Sequence, residues 1–242
     1  MKRNQIPPVH KTSFDASRIF FPKHCVACNQ VIPASENFCP ACLEDVWKVK
    51  PPVCLLCGDE QDHCSCRGKS YFYDGCAAPF YYTGAVARGL VQLKKRRDKD
   101  RFLFFAKAVA DTVNREYKSQ RLDCVCMVPM YKSRLREREY NQSEVLAQQT
   151  ADFLELPFLP AALQMTAPAA GQHTLNRKFR MGNVLGVYEA DGSLCRGKSI
   201  LLVDDIRTTG ATLNECAKML KLAGCECVFC AVAAITSPFL AE

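Results

Sequence analysis

Residues 199–216, SILLVDDIRTTGATLNEC, restrict what this chain can fold into more than any other stretch. An aliphatic run ends on two adjacent carboxylates, Asp204 and Asp205, and turns at once into Thr-Thr-Gly-Ala-Thr. The run reads as a buried strand, and 211–223 reads as a helix with Leu213, Cys216, Ala217 and Leu220 on one side. Gly224 stands where such a helix ends. In an open parallel sheet, ligands gather beyond the carboxyl ends of the strands, so this strand would deliver both acids to a binding edge. Thr208, Thr209 and Thr212 add hydroxyls, Gly210 permits a tight turn, and Ala211 opens a helix. The first N–H groups of that helix and its dipole favour a phosphate. Acceptors for sugar hydroxyls beside donors for a phosphate suit a ribose 5-phosphate. An acidic strand end with a plain helix cap and no ligand would leave similar residues.

The rest of the larger part alternates in the same way. GAVARGLVQLKKRRD, RFLFFAKAVADTVNREY and NQSEVLAQQTADFLEL have helical spacing, the last with Asn141 or Ser143 as N-cap. DCVCMVPM, KSILLVDD and CECVFCAVAAI read as buried strands. Strands alternating with helices predict an α/β fold, an open and mainly parallel sheet with helices on both faces. The expected organisation is a poorly ordered lead-in at 1–20, a small metal-binding module at 21–75 and the α/β domain at 76–242. No run of 18 or more apolar residues occurs and the N-terminus lacks an apolar signal core, which predicts no membrane span and a cytoplasmic location.

Sixteen cysteines need an account, and eight of them fall between Cys25 and Cys66. In a reducing compartment, paired cysteines point to metal rather than disulfides. Cys25, Cys28, Cys39 and Cys42 have the C-x2-C-x10-C-x2-C spacing of a zinc ribbon. Cys54, Cys57, Cys64 and Cys66 form a second set, with His63 as a stand-in ligand; pairing the first couple with the third is an alternative. Four thiolates leave no open position, so the zinc is expected to be structural. Unliganded thiols in a small core are the plain alternative. His24, beside Cys25, is not expected to be a ligand. Trp47 is expected to pack the module against its neighbour, and the remaining cysteines to act as small hydrophobes.

The net charge is +7, and the basic residues are clustered. Residues 94–101, KKRRDKDR, hold six basic and two acidic side chains, and 131–138, YKSRLRER, four basic and one acidic. Arg177, Lys178 and Arg180 form a third group. Such clusters suit a dense polyanion. They also suit single-stranded DNA, with Lys95, Arg96, Arg97, Lys132, Arg134, Arg136 and Arg138 as contacts and Tyr131 and Tyr140 as stacking platforms. A solvated charged face is the bland alternative.

LLVDDIRTTGAT resembles the phosphoribosyl pyrophosphate (PRPP) signature of type I phosphoribosyltransferases. With FFPKHCVAC, the further cysteine pairs, LKKRRD, VPMYKSRLREREYNQ and QHTLNRKFRMGNV in the same order, the chain resembles the ComF family of competence-associated proteins from Phe20 to about Val232. That resemblance implies a type I phosphoribosyltransferase fold with an N-terminal zinc finger. It implies that Asp204 and Asp205 contact the ribose, that Thr208, Thr209, Gly210, Ala211 and Thr212 hold the 5-phosphate, and that Lys94 lies in the pyrophosphate loop. Mg2+ would bridge sugar and pyrophosphate. The implied process is natural transformation, with internalised single-stranded DNA and DNA-loading or helicase-like competence proteins as partners. A phosphoribosyltransferase of nucleotide metabolism is the alternative, and turnover is left open. Two departures stand out. Glu139 replaces the family's glycine in REYNQ, predicting an altered loop, and LKKRRD lacks the usual aromatic and glycine.

Overall fold

A computed structural model describes residues 22–64, 66–94, 98–166 and 187–240. The lead-in at 1–20, Lys95, Arg96, Arg97 and the Arg177, Lys178, Arg180 group lie outside the described residues.

The centre is a five-stranded parallel sheet. Its strands are β1 (Gly75–Ala77), β2 (Phe80–Tyr81), β3 (Cys124–Met127), β6 (Ser199–Arg207) and β7 (Cys227–Ile235). The order is β1-β7-β6-β3, with β2 also paired to β7 further along. A two-stranded antiparallel unit, β4 (Leu163–Met165) with β5 (Tyr188–Ala190), stands apart. β6 and β7 are almost wholly buried, which is why they read as continuous apolar runs rather than alternating ones. β6 runs two residues past the acids, to Arg207, further than the sequence pattern predicts.

Both faces of the sheet are covered. Leu201 and Val203 face a core shared with helices α1 (Gly84–Leu93), α2 (Lys99–Glu116) and α4 (Gln142–Leu154). Ile200 and Leu202 face the opposite core, built from helix α5 (Ala211–Leu222) and the β4–β5 unit. The expected helices and strands are thus present, and Asn141 is the N-cap of α4, its side chain accepting from the Ser143 N–H at 3.1 Å.

The basic 131–138 segment, which the sequence patterns assign to no element, is a short helix, α3 (Lys132–Arg138), and it buries no side chain. Lys, Arg, Leu and Glu are good helix formers, and a residue in the left-handed region ends the run. That residue is Glu139, at φ 63. The glycine conformation is kept without the glycine, so the loop is strained rather than rebuilt.

The cysteine-rich module packs onto both cores. Val26, Phe38 and Cys25, Cys39 and Cys42 of the first set join the α1–α2 face, whereas Cys28 is exposed and Val49 joins the other face. Gly89 makes the first contact possible, because a Cβ there would stand 3.0 Å from the Val26 carbonyl oxygen. Phe38 meets Phe104 edge-on at 5.1 Å. The Trp47 side chain is not buried in this junction, being 50% exposed, although its carbonyl accepts from the Tyr81 N–H of β2.

Candidate functional site

A cleft of 360 Å3 opens at the carboxyl end of β6, lined by Lys94, Arg134, Arg138, Gln142, Asp204, Asp205 and Thr212 among others. β6 supplies the acids, the segment after β3 one wall, and α3 and the start of α4 the roof.

Asp204 is buried, and its Oδ1 accepts from the Ser143 hydroxyl at 2.7 Å and from the Asp205 N–H at 2.9 Å. Burial, with Asp205 beside it, pushes its carboxyl up to about 7, against the pull of Ser143. Burial also raises Asp205, while Lys94 and Arg138 oppose the shift. Lys94 Nζ stands 3.9 Å from Asp205 Oδ2, a loose pair that a bound anion could reorganise. The Tyr140 hydroxyl donates to the Leu93 carbonyl and its ring meets Phe102 edge-on at 6.1 Å. Tyr140 therefore braces the chain beside Lys94 and is not the free stacking platform expected for DNA.

The turn that follows is exposed at Thr208, Thr209, Ala211 and Thr212 and buried at Gly210. Gly210 has φ 81 and caps α5, and the Ala211 N–H donates to Thr209 Oγ1 at 3.3 Å. Of these five residues Thr212 lines the cleft with the acids, and the others lie immediately before it in the turn. Among the basic residues, Arg134 and Arg138 line the cleft, whereas Lys132 and Arg136 are exposed on α3 and outside the lining. Arg101 of the first cluster is not available to any polyanion. It is 3% exposed, and its Nε donates to the Val26 carbonyl at 2.7 Å.

Sequence reasoning missed Gln142 and Arg207, and offered Ser143 only as an N-cap. Asn141, Gln142 and Ser143 are three consecutive buried polar residues at the start of α4. The available signal was NQS heading an otherwise amphipathic helix: polar groups buried there need partners. Gln142 Oε1 accepts from Arg138 at 3.3 Å, and its Nε2 has no partner among the described residues.

The metal centres separate cleanly. Cys25, Cys28, Cys39 and Cys42 form one set and Cys54, Cys57, Cys64 and Cys66 another, with ligand atoms of each within 4.8 Å of one another. Sulfur pairs at 3.5 Å (Cys54–Cys66) and 3.7 Å (Cys28–Cys39, Cys57–Cys64) approach the edge of about 3.8 Å for a tetrahedron with Zn–S near 2.3 Å. Each set therefore fits one zinc ion. The interleaved pairing does not occur, and His63 is no ligand: it faces the Tyr81 hydroxyl at 3.4 Å and stacks on Phe239 at 4.9 Å. Burial raises Cys25, but backbone amides of Cys28, Cys39 and Ala27 bring it down to about 6, whereas Cys28 is raised and burial pushes Cys42 up to about 12. The other eight cysteines are, as expected, mostly buried.

Comparison with known proteins identifies two regions. Residues 126–236 match the phosphoribosyl transferase domain and residues 16–78 the double zinc ribbon domain. Competence protein F of Haemophilus influenzae is 28% identical over 225 residues, 86% of this chain and 94% of that protein. Competence protein ComFC of Bacillus subtilis is 24% identical, covering 78% and 80%. DNA utilization protein YhgH of Salmonella typhi is 26% identical, covering 82% and 91%. Among solved structures, an adenine phosphoribosyltransferase has a TM-score of 0.39 at 12% identity, covering 58% of this chain and 81% of that one. A PRPP amidotransferase from Bacillus subtilis has 0.38 at 20% identity, covering 54% of this chain, which spans 25% of that protein's length. No helix among the described residues is long and apolar enough to cross a membrane.

Proposed function

We propose, from the premise that this chain belongs to the ComF family, that it binds PRPP and so serves the handling of internalised single-stranded DNA in natural transformation. One observation carries the reading: Asp204, Asp205, Lys94 and Thr212 converge on a single cleft at the start of α5. Asp204 and Asp205 accept from the ribose hydroxyls, the 208–212 turn takes the 5-phosphate, and Lys94 meets the pyrophosphate. The all-oxygen donors of the acid pair suit Mg2+, which would neutralise charge on the pyrophosphate. The two ribbons hold structural zinc. DNA would meet the exposed cations Lys132, Arg134 and Arg136 and the half-buried Arg138, with Lys95, Arg96 and Arg97 as further contacts on the sequence reading alone. DNA-loading or helicase-like competence proteins would be its partners, in the cytoplasm.

A second reading is a phosphoribosyltransferase of nucleotide metabolism. The unused amide nitrogen of Gln142 favours it, since Met165 and Tyr188 share the cleft with it and could bound a planar acceptor. In that case a nucleophile displaces pyrophosphate at the anomeric carbon, and Lys94 and Arg134 stabilise the negative leaving group.

PRPP with Mg2+ should raise the melting temperature, and Asp204→Asn with Asp205→Asn should abolish the rise. No rise in the native protein sinks the PRPP site. Pyrophosphate release with a panel of bases selects the enzyme. Salt-sensitive binding of single-stranded DNA, weakened by Arg134→Ala and Arg136→Ala, selects the competence role.

A further inference from the structure

Beneath the 208–212 turn lies a charge that the acid pair does not use. Arg207, the last residue of β6, is 8% exposed. Its guanidinium faces Tyr71, Tyr73 and Cys76, and the two tyrosine rings stack at 4.8 Å. Burial pushes both phenols up, and the Cys76 thiol up to about 12, so all three are neutral at physiological pH. Among the described residues no carboxylate forms an ion pair with Arg207. Arg207 Nε lacks a hydrogen-bond partner there, and what the guanidinium meets is the neutral phenols of Tyr71 and Tyr73. A buried cation without an anion is costly, and such groups are normally paired.

The geometry indicates where the anion sits. Gly210 begins α5 with φ 81, and a Cβ on it would stand 3.0 Å from Arg207 Nε and 3.4 Å from the Tyr73 hydroxyl. The guanidinium therefore lies directly against the backbone that opens α5. That end of a helix offers free N–H groups and a positive dipole. Glycine at 210 serves the turn conformation and also this close approach.

We infer that Arg207 is a positioning residue whose buried charge is balanced by the phosphate bound on the 208–212 turn, making that turn selective for a phosphate monoester. The inference rests on the phosphosugar reading above and adds a residue to it. Its neighbours Tyr71 and Tyr73 follow closely on Cys66, so the second ribbon sets the floor of the turn. Phe72 N–H donates to Asn214 Oδ1 of α5 at 2.7 Å, a second tie between the same segments.

The test is calorimetric titration of the full zinc-loaded chain with ribose 5-phosphate, and with ribose as the uncharged probe. Arg207→Gln and Arg207→Met should weaken ribose 5-phosphate by about ten- to a hundred-fold, while Arg207→Lys stays within a few-fold of native. The neutral variants should melt, without ligand, no lower than the native protein. Equal affinity in native and neutral variants overturns the inference and leaves the phosphosugar site standing. No binding to the native chain overturns both. Loss of the fold in both neutral variants overturns the inference too, since an unpaired cation cannot be what holds the empty protein together.

Discussion

The Ser143 hydroxyl donates to Asp204 Oδ1 at 2.7 Å, joining residues 61 positions apart. It ties the first turn of α4 to the end of β6 and fixes the orientation of the more buried acid. The same oxygen takes the Asp205 N–H, so the carboxylate is held from two sides. These donors do not outweigh burial and the neighbouring acid, which hold the carboxyl near 7.

A pH dependence follows. The folded chain keeps a proton on the pair at pH values where the unfolded chain, with Asp near 3.9, has lost it. Stability therefore falls as pH rises from about 4 to about 7, by an amount on the order of a few kcal/mol. Asn at 204 keeps an oxygen for Ser143 and Asp205 but carries no charge. Urea unfolding at pH 5 and pH 8 should show Asp204→Asn close to native at the lower value and more stable at the higher. An unchanged difference between the two pH values would contradict this origin of the shift.

Glu139 offers a cleaner stability test. It is exposed, makes no side-chain hydrogen bond or ion pair among the described residues, and sits at φ 63, where a side chain costs about 1–2 kcal/mol relative to the right-handed region. Glycine avoids that strain but loses more chain entropy, about 0.5–1 kcal/mol. Glu139→Gly should therefore stabilise by up to about 1 kcal/mol, or raise the melting temperature by about 2–4 °C in a chain of this size. Glu139→Val, β-branched and intolerant of positive φ, should lower it. Calorimetric melting of the three proteins gives the order.

What the sequence revealed and what it hid divide along the reach of each signal. β6, α5 and both cysteine sets are written in short windows: an apolar run, a 3.6-residue period, a repeated spacing. The α3 helix was missed because none of its side chains is buried, so it has no apolar stripe to read. Ser143 with Asp204, and Arg101 with Val26, are contacts across 61 and 75 positions, created only when the sheet and ribbon assemble. Arg207, between the acids and the threonines, carries no pattern of its own in the sequence. Its isolation becomes visible only once Tyr71 and Tyr73 have been folded against it.

Zinc content should be two ions per chain, because each four-cysteine set is complete without the other. Cys25→Ser with Cys28→Ser, and separately Cys64→Ser with Cys66→Ser, should each leave one ion by atomic emission. The first pair should destabilise the α1–α2 core, where Cys25 is fully buried. The second should bear more on the 208–212 turn, through Tyr71 and Tyr73. A chelator strong enough to strip both should unfold the module, since so small a unit has little core of its own.

The junction between ribbon and sheet domain depends on Arg101. Its Nε–H donates to the Val26 carbonyl at 2.7 Å, its Nη2 reaches the Cys25 carbonyl at 3.4 Å, and its Nη1 pairs with Asp98 at 2.7 Å. One guanidinium on α2 thus holds the first zinc turn by its backbone while Asp98, the N-cap of the same helix, neutralises it. Arg101→Ala would leave the Val26 and Cys25 carbonyls and Asn29 Oδ1 without this donor and Asp98 without its ion pair at a buried interface, a loss of about 3–5 kcal/mol. Arg101→Lys restores the charge but not the fork that serves four acceptors, so it should rescue only part. Zinc release to a chromogenic chelator separates this latch from a general loss of stability. In the alanine variant the first ion should leave faster than in the native chain, while the second leaves at its native rate. Equal acceleration of both would mean that Arg101 supports the domain as a whole and not the first ribbon.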